Sequence, residues 1–426
     1  MEAFKYHPHP RPYYPWVIWI LCILFIFYNY IIQFAALFIN IPLHTKTVAN
    51  VVNIAHLFDP YALTAFLLQI PVALLIDKYG PRKTTSLAIV ITGLGAILFG
   101  FSTSMVEIGI AVAIFGVGST VTIVNALKLA SNWFLPSRFA VLVGLTMTAA
   151  ALGAAVGQPL AHTIIQTLGW RQLMVNLGII GIVYALLFFS IVRENALGAR
   201  YSVYPSKLLI PYRVALKKVF KNPQNYLVAH FFGLAMSPWV SYFGVWHIPF
   251  FQTTYHVSHQ EAFIVNVINV IAFGVGAPFF GWISTRHKSR KRFMFLGIII
   301  ALILNGCTIY VPSIPFPVVG ILTSLSGFFI SASTLSYAMS AEKNNPTAYA
   351  SVFALLYVSA LFFRMILDRV IGYIFTSALQ SRNVQNFEDI TINDYQTSLV
   401  IVPIVLILSL LVLFFIKETH AEPSYE

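Results

Sequence analysis

Long apolar stretches alternate with short polar and charged stretches along the whole chain. A helix needs about 20 apolar residues to cross the hydrocarbon core of a bilayer. Twelve stretches approach or exceed this length, and they lie near residues 16–41, 55–76, 85–103, 107–131, 139–165, 172–192, 226–250, 260–284, 294–312, 315–340, 348–378 and 399–416. Proline, glycine and clusters of charge separate them. The pattern therefore predicts an all-α membrane protein with twelve transmembrane helices, numbered below as spans 1 to 12.

The composition agrees with lipid as the main solvent. Of the 426 residues, 58% are hydrophobic and 9% are charged, whereas a typical soluble protein has about a quarter charged residues. This composition excludes a soluble enzyme and a disordered chain. The two cysteines, Cys22 and Cys307, lie in separate apolar stretches and indicate neither a disulfide framework nor a metal site.

The position of the basic residues explains the formal net charge of +12. If the N-terminus is cytoplasmic, most of the 26 Lys and Arg residues fall in cytoplasmic loops, whereas Glu388, Asp389 and Asp394 fall in one long outer loop. This asymmetry follows the positive-inside rule. It predicts a multi-pass protein of the inner membrane with both termini in the cytoplasm, surrounded by lipid and without a nucleic-acid partner.

Two similar loops indicate an internal repeat. The segment around Asp77, between spans 2 and 3, aligns with the segment around Thr285, between spans 8 and 9, at an offset of 208 residues. Pro136 after span 4 aligns with Pro346 after span 10 at an offset of 210 residues. The sequence therefore predicts two pseudo-symmetric six-helix bundles, residues 1–192 and 226–426, joined by a basic linker at 193–225. Transporters are built from such repeats, with the substrate site between them.

The loop after span 2 resembles the signature of the major facilitator superfamily. Asp77, Lys78, Gly80, Arg82 and Lys83 occupy signature positions, and Ala73 stands where the family usually has glycine. The segments Asn132–Arg138 and Leu168–Arg171 also resemble the family, and Gln69–Pro71 looks like bacterial members that transport organic anions or amino acids. The resemblance implies a twelve-span bacterial transporter that works by alternating access, with no cofactor.

The resemblance also implies a gate on the cytoplasmic side. Asp77 would contact the start of span 11, around Tyr349 to Val352, and the other gating residues would be Gly80, Arg82, Lys83 and Arg138. Thr285 cannot supply the matching anion in the second half, so the gate should be asymmetric. The family's arginine in span 4 is Val112 here, which argues against proton coupling built on that arginine. For Lys128, near the inner end of span 4, we expect the side chain to reach the lipid headgroups.

Span 11 contains three charged residues inside an otherwise apolar helix, namely Arg364, Asp368 and Arg369. A charged side chain in a membrane usually faces a cavity or a partner. Arg364 and Asp368 are four residues apart and share one helix face, whereas Arg369 lies about 140° away from Arg364. One arginine is thus available for an anionic ligand, because a guanidinium binds a carboxylate well. The alternative is an ion pair that only holds span 11 to its neighbour.

Uncharged polar residues complete the candidate substrate path. By resemblance to the family, spans 1, 4, 7 and 10 line that path, with one face each of spans 2, 5, 8 and 11. The candidates are Asn29, Gln33, Asn125, Trp239, Tyr242, Asn266, Asn269, Ser333 and Tyr337. Each of them is alternatively an interhelical hydrogen bond. Asp368 and Asp59 are candidates for proton coupling, and Asp59 is alternatively a helix cap.

These observations predict a secondary active or facilitative transporter of a small polar solute. The arginines of span 11 favour an organic anion or an amino-acid-like carboxylate, with protons as a possible partner, and we expect a monomer. The alternative is a proton-driven exporter of a drug-like or siderophore-like compound, because Gly144, Gly153 and Gly157 of span 5 resemble an antiporter motif. General helix packing also explains these glycines. The sequence has no catalytic motif such as His-Glu-x-x-His, which argues against a membrane-embedded enzyme.

Overall fold

A computed structural model of the protein describes residues 13–37, 59–194, 203–204, 209–382, 384 and 389–424. These residues are helical with short connections, and no strand occurs among them. Eleven helices in the described ranges are long and apolar enough to cross a membrane. The remaining predicted span, span 7, runs without a break through Pro223–Ser241, a π-helical stretch at Tyr242–Trp246, and His247–Tyr255.

The other helices match the predicted spans, with shifted ends. In the first half they are span 1 at Tyr14–Leu37, span 2 at Asp59–Tyr79, span 3 at Pro81–Phe101, span 4 at Met105–Ser119 and Thr122–Trp133, span 5 at Pro136–Leu168 and span 6 at Trp170–Ile191. In the second half they are span 8 at His259–Arg286, span 9 at Arg290–Tyr310, span 10 at Phe316–Ile330 and Leu335–Lys343, span 11 at Tyr349–Ser381 and span 12 at Ile392–Leu399 and Ile401–Phe414.

Short polar signals set the ends of these helices. Ser104 and Ser258 begin spans 4 and 8 in capping boxes, in which each serine accepts from the backbone of a glutamate three residues later. Gly80, with φ of +89°, separates spans 2 and 3 in a backbone conformation that favours glycine. Span 12 begins at Ile392 and not near 399, because Thr391 caps a polar first segment.

The two halves pack their helices in corresponding pairs. In the first half span 1 packs on span 5, span 2 on span 4 and span 3 on span 6, and in the second half span 7 packs on span 11, span 8 on span 10 and span 9 on span 12. This correspondence confirms the predicted pair of pseudo-symmetric six-helix bundles. Between the halves, span 2 packs on span 11 and span 5 packs on span 8.

Spans 4 and 10 are interrupted at equivalent positions of the repeat. Span 4 breaks between Ser119 and Thr122, and span 10 contains a 3-10 segment at Ser331–Thr334. Hydroxyl groups accompany both breaks and bond to nearby carbonyls: Thr120 Oγ1 donates to Val117 O at 2.7 Å and Ser331 Oγ donates to Phe328 O at 2.6 Å. Such bonds satisfy carbonyls that a break would leave without a partner.

The halves are in close contact toward one side of the bundle. We call this side, where Tyr79, Pro81, Arg286 and Arg290 mark span ends, the basic face, and the other side the opposite face. A Cβ atom at Gly144 of span 5 would lie 2.3 Å from Pro278 N of span 8. Small residues allow this contact between backbones.

Further contacts in the same region support a role for the span-5 glycines in helix packing. A Cβ atom at Gly281 of span 8 would lie 2.5 Å from Ala140 O of span 5, and Thr148 Oγ1 donates to Gly274 O at 2.5 Å. Gly153 packs against the ring of Tyr30. Gly144 and Gly153 thus lie at contacts between helices.

The linker predicted at 193–225 contains an amphipathic helix, Tyr212–Lys221. Ala215 and Val219 are buried, whereas its lysines are exposed. Tyr212 Oη donates to Leu74 O of span 2 at 2.9 Å. This helix therefore packs on the basic face of both halves and ends immediately before span 7.

Candidate functional site

Two of the three charged residues of span 11, Arg364 and Asp368, form a partly exposed ion pair. Arg364 Nε lies 3.4 Å from Asp368 Oδ2, and the two side chains are 41% and 33% exposed. Asp368 also accepts a hydrogen bond from Ser241 Oγ of span 7. The carboxylate thus holds Arg364 and joins span 11 to span 7. The pair connects two helices and is partly exposed, so it agrees both with a structural ion pair and with a site for an anionic ligand.

Three tyrosines lie within electrostatic range of Arg364. Nη1 and Nη2 of Arg364 donate no hydrogen bond within the described part of the chain, whereas Tyr30 of span 1, Tyr61 of span 2 and Tyr357 of span 11 are its electrostatic neighbours. We call Arg364, Tyr30, Tyr61 and Tyr357 the arginine–tyrosine cluster. It joins side chains from both halves.

Arg369 lies outside this cluster. It is exposed and shares its side of span 11 with Ile366 and Tyr373, which are exposed as well. The angle of about 140° between residues five positions apart on a helix explains this separation from Arg364. Of the two arginines predicted for an anion, only Arg364 is near the polar side chains of the other half.

Several predicted path residues form contacts within their own half. Trp239 Nε1 donates to Asn269 Oδ1 at 3.0 Å, and Asn269 Nδ2 donates to Thr323 O at 2.6 Å, which links spans 7, 8 and 10. Asn125 Nδ2 donates to Thr85 of span 3. Tyr242 is fully buried against Phe243.

The 3-10 segment and the inner part of span 10 account for two more candidates. Ser333 Oγ donates to Ile330 O at 2.8 Å, and the ring of Tyr337 packs on Phe232 of span 7 with centroids 5.0 Å apart. Both side chains are almost completely buried. They contribute to the interior of the second half.

Asn29 and Asn266 are polar candidates that keep an unsatisfied atom. Asn29 Nδ2 and Asn266 Oδ1 are buried and have no hydrogen-bond partner in the described ranges. Gln33, one turn after Asn29, is half-buried. Asp59 begins span 2, but its side chain lies outside the described residues.

A buried ionic network joins the halves at the basic face. Asp77, whose side chain is fully buried, accepts from Ala350 N at 3.1 Å, from Ser351 N at 2.8 Å and from Ser351 Oγ at 2.7 Å. The N–H groups in the first turn of span 11 have no partner within the helix, so they bind the carboxylate of Asp77. The contact predicted between Asp77 and the start of span 11 is present.

Lys128 completes this network, and the prediction that it reaches the lipid headgroups is wrong. Its Nζ lies 2.8 Å from Asp77 Oδ1 and donates to Pro346 O at 2.7 Å, and the side chain is 3% exposed. A buried carboxylate at this place attracts the lysine away from the membrane surface. The lysine therefore links span 4, span 2 and the residues just before span 11.

The remaining signature residues lie around this network without joining the halves. Arg82 Nη2 donates to Phe189 O of span 6 at 2.6 Å, so it fastens spans 3 and 6. A Cβ atom at Gly80 would collide with Glu194. Lys83 and Arg138 are exposed.

The second half uses a different network at the equivalent loop. Thr285 accepts from the buried Arg290, Nη1 to Oγ1 at 2.8 Å, and Arg290 Nη2 lies 2.7 Å from Glu342 Oε1 at the end of span 10. The anion therefore comes from span 10 and not from the loop. This network stays inside the second half, in agreement with the predicted asymmetry.

Glu418 closes the start of span 9. Its carboxylate accepts from Arg290 N at 3.0 Å, from Lys291 N at 2.8 Å and from Thr419 N at 2.9 Å. Burial raises the pKa of Glu418, but the backbone donors lower it more, so the pKa lies below its usual value. The segment after span 12 is thereby attached to the basic face.

The family follows from the sequence together with this fold. Residues 17–258 and 234–426 match the family described as Major Facilitator Superfamily. The chain belongs to the Major Facilitator Superfamily. Members of this superfamily are membrane transporters and not enzymes, and the apolar helices of the described ranges agree with a multi-pass membrane protein.

Known members of the superfamily resemble the chain in part or in fold. The hexuronate transporter of Bacillus subtilis (strain 168) is 32% identical over 123 residues, which are 28% of this chain and 28% of that protein. Monocarboxylate transporter 12 of Mus musculus is 25% identical over 293 residues, which are 62% of this chain and 59% of that protein. The chain thus matches less than two thirds of the length of either relative.

The superfamily fold is also found in solved structures. The structure of the proton:xylose symporter XylE bound to 6-bromo-6-deoxy-D-glucose matches with a TM-score of 0.72 at 14% identity, covering 96% of this chain and 97% of that chain. At this identity the similarity concerns the fold alone. The curated relatives both have names that refer to organic anions.

Proposed function

We propose that this protein transports a small organic anion that has a carboxylate group, by alternating access between its two halves. The observation that carries the proposal is the free end of Arg364 in the arginine–tyrosine cluster. A guanidinium donates two parallel hydrogen bonds to a carboxylate, and tyrosine hydroxyls both donate and accept. The cluster therefore suits a carboxylate next to hydroxyl or carbonyl groups. The anion names of the relatives support the same substrate class.

The direct test is uptake by purified protein in liposomes. The panel contains a labelled hexuronate, a galactonate, a monocarboxylate and a neutral sugar, each measured for native protein, Arg364→Ala, Arg364→Lys and Arg369→Ala. A hydrogen bond to a charged group contributes about 1.5–3 kcal/mol, so we expect Arg364→Ala to weaken apparent affinity for the accepted anion by about tenfold to hundredfold.

The control in this experiment is Arg369→Ala, which removes the same charge from the same span on another side. We expect it to transport at the native rate, and Arg364→Lys to recover part of the loss. Equal uptake of the anion by Arg364→Ala and native protein would contradict the proposal. The proposal would also be contradicted if native protein preferred the neutral sugar and Arg364→Ala showed the same preference.

We further propose that Asp368 couples transport to protons. The carboxylate holds Arg364 and accepts from Ser241, so a proton on Asp368 weakens the pair and releases Arg364 for the substrate. In proteoliposomes an inward proton gradient should accelerate uptake by native protein and have no effect on Asp368→Asn. A gradient effect that survives in Asp368→Asn would exclude this residue as the coupling site.

The gate of the proposed cycle is the network of Asp77, Lys128 and Ser351 at the basic face. It joins the halves through buried hydrogen bonds and must break before the basic face opens. The positive-inside rule supports a cytoplasmic position for this face in the inner membrane. An impermeant thiol reagent distinguishes the two orientations: a cysteine at exposed Lys83 should react only after the cells are opened.

A further inference from the structure

A cavity lies at the basic face, beside the contact between span 5 and span 8. Its volume is about 430 Å³. The residues that decide its chemistry are Trp16, Phe134, Arg138, Leu145, Trp282 and Arg286. None of them belongs to the arginine–tyrosine cluster or to the network around Asp77. The cavity is therefore separate from the proposed substrate site and gate.

Two arginines from different halves line this cavity. Arg138 belongs to the start of span 5 and Arg286 to the end of span 8, and both side chains are exposed. Neither has an acidic partner within 4 Å in the part of the chain that the structure describes, although Arg286 lies over the Trp282 ring at 5.6 Å. Two cations without an anion repel each other across one cavity. The cavity therefore favours a ligand with negative charge.

The rest of the wall is mostly apolar and aromatic, with Ser137 and Thr285 as its other polar residues. Trp16 is 39% exposed and Trp282 is 49% exposed, although both are large rings. Trp16 also packs edge-on against Phe134 with centroids 4.9 Å apart. Tryptophan is enriched at the level of the lipid headgroups, where one end of the ring contacts acyl chains. Leu142 and Leu145 continue the wall along span 5, away from the basic face.

We propose that this cavity binds an anionic phospholipid from the leaflet at the basic face. The phosphate contacts Arg138 and Arg286, because the guanidinium fork suits phosphate geometry, and the first part of an acyl chain lies along Trp16 and Leu145. A free phosphate or a soluble anion matches the arginines only and leaves the apolar wall uncovered. A lipid in this place connects span 5 to span 8, so it stabilises the conformer whose basic face is closed.

Native mass spectrometry of the full-length protein in detergent micelles tests the proposal. Phosphatidylglycerol and phosphatidylcholine with the same acyl chains are added in turn to native protein, Arg138→Ala, Arg286→Ala and the double variant. An Arg near the membrane surface attracts anionic lipid with about a fivefold effect on binding. We expect native protein to retain phosphatidylglycerol over phosphatidylcholine, each single variant to lose about fivefold, and the double variant to lose more than tenfold.

Arg213→Ala is the matched control, because Arg213 is an exposed arginine on the same face, outside the cavity. It should retain phosphatidylglycerol as native protein does. The proposal is overturned if native protein shows no preference for phosphatidylglycerol. It is also overturned if the double variant retains this lipid like native protein, or if Arg213→Ala loses as much as the cavity variants.

A second arm separates a lipid site from a phosphate site without any variant. Thermal unfolding of native protein is followed with inorganic phosphate at millimolar concentration and in nanodiscs of phosphatidylglycerol or phosphatidylcholine. Stabilisation by phosphatidylglycerol but not by inorganic phosphate supports the lipid. Equal stabilisation by inorganic phosphate in phosphatidylcholine nanodiscs would show that the acyl chain is not recognised, and the proposal would fail.

Discussion

Removing the positive charge of Lys128 is expected to open the basic face. In the structure Lys128 Nζ lies 2.8 Å from Asp77 Oδ1, and the two side chains are 3% and 0% exposed. Lys128→Met keeps the length and apolar volume of the side chain but removes the cation. Asp77 then keeps its three donors from Ala350 and Ser351, and its charge is buried without a counterion.

The expected magnitude follows from the burial of both partners. Breaking a fully buried ion pair by removing one partner costs about 3–5 kcal/mol, because the remaining charge stays away from water. The three hydrogen bonds that Asp77 keeps make the lower end of this range appropriate. This cost applies only to the conformer with a closed basic face, since the network breaks when the halves separate there. A difference of about 3 kcal/mol shifts the equilibrium between the conformers by about a hundredfold.

Distance measurement between spin labels at the basic face detects this shift. Labels at Ser137→Cys in the first half and His287→Cys in the second half, both at exposed positions, report the separation of spans 5 and 8. Native protein should give mainly the short distance, and Lys128→Met mainly the long one. Lys83→Met serves as the control, because it removes an exposed lysine of the same signature segment and should leave the distances unchanged.

A double-variant cycle then assigns the effect to the pair. Asp77→Asn combined with Lys128→Met should disturb the distances less than the sum of the single changes, because the double variant has no buried charge. The reasoning is refuted if Lys128→Met gives the native distance distribution. It is also refuted if the effects of the two substitutions simply add.

Three further outcomes follow from described contacts. Gly144→Val should clash with Pro278, 2.3 Å from the added Cβ atom, and the same spin labels should then report a separated basic face. The pKa of Glu418 is lower in the folded protein than in the unfolded chain. Its contribution to stability is therefore present above the unfolded-state pKa and is lost as pH falls through the folded-state pKa. Hydrogen exchange at the start of span 9 should become faster in that acidic range, and Glu418→Gln should show the faster exchange already at pH 7. Asn269→Ala leaves Trp239 Nε1 without its acceptor, which should cost about 1–3 kcal/mol and lower the Tm, whereas uptake affinity for the anion should stay near native.

The lengths of the apolar stretches and the distribution of charge predicted the fold, because both are properties of continuous segments of the chain. An apolar stretch of sufficient length forms a helix in lipid whatever its neighbours are, so the spans and the repeat were accessible from the sequence. The contact between Asp77 and the start of span 11 was predicted from the resemblance of its loop to the superfamily signature, and the structure forms it with two backbone N–H groups and Ser351 Oγ.

Features that depend on which way each helix face points could not be predicted from the sequence. The direction of Lys128 is decided by a carboxylate 51 positions earlier in the chain, and an inner-end lysine has the same sequence pattern whether it faces lipid or protein. Tyr30 and Tyr61 were missed because the chain has 21 tyrosines and nothing in the sequence distinguishes these two. Tyr357 had one signal, since it precedes Arg364 by seven residues and therefore shares its helix face.

The breaks in spans 4 and 10 separate each of these helices into two rigid pieces. Lys128 belongs to the second piece of span 4, and Glu342 to the second piece of span 10. Because hydroxyl groups already satisfy the carbonyls at Ser119 to Thr122 and at Ser331 to Thr334, each break is a hinge at which bending sacrifices few backbone hydrogen bonds. In the proposed cycle, the short pieces next to the basic face could therefore bend at these breaks while the longer pieces stay packed, so that alternating access would not require each half to rotate as an undeformed body.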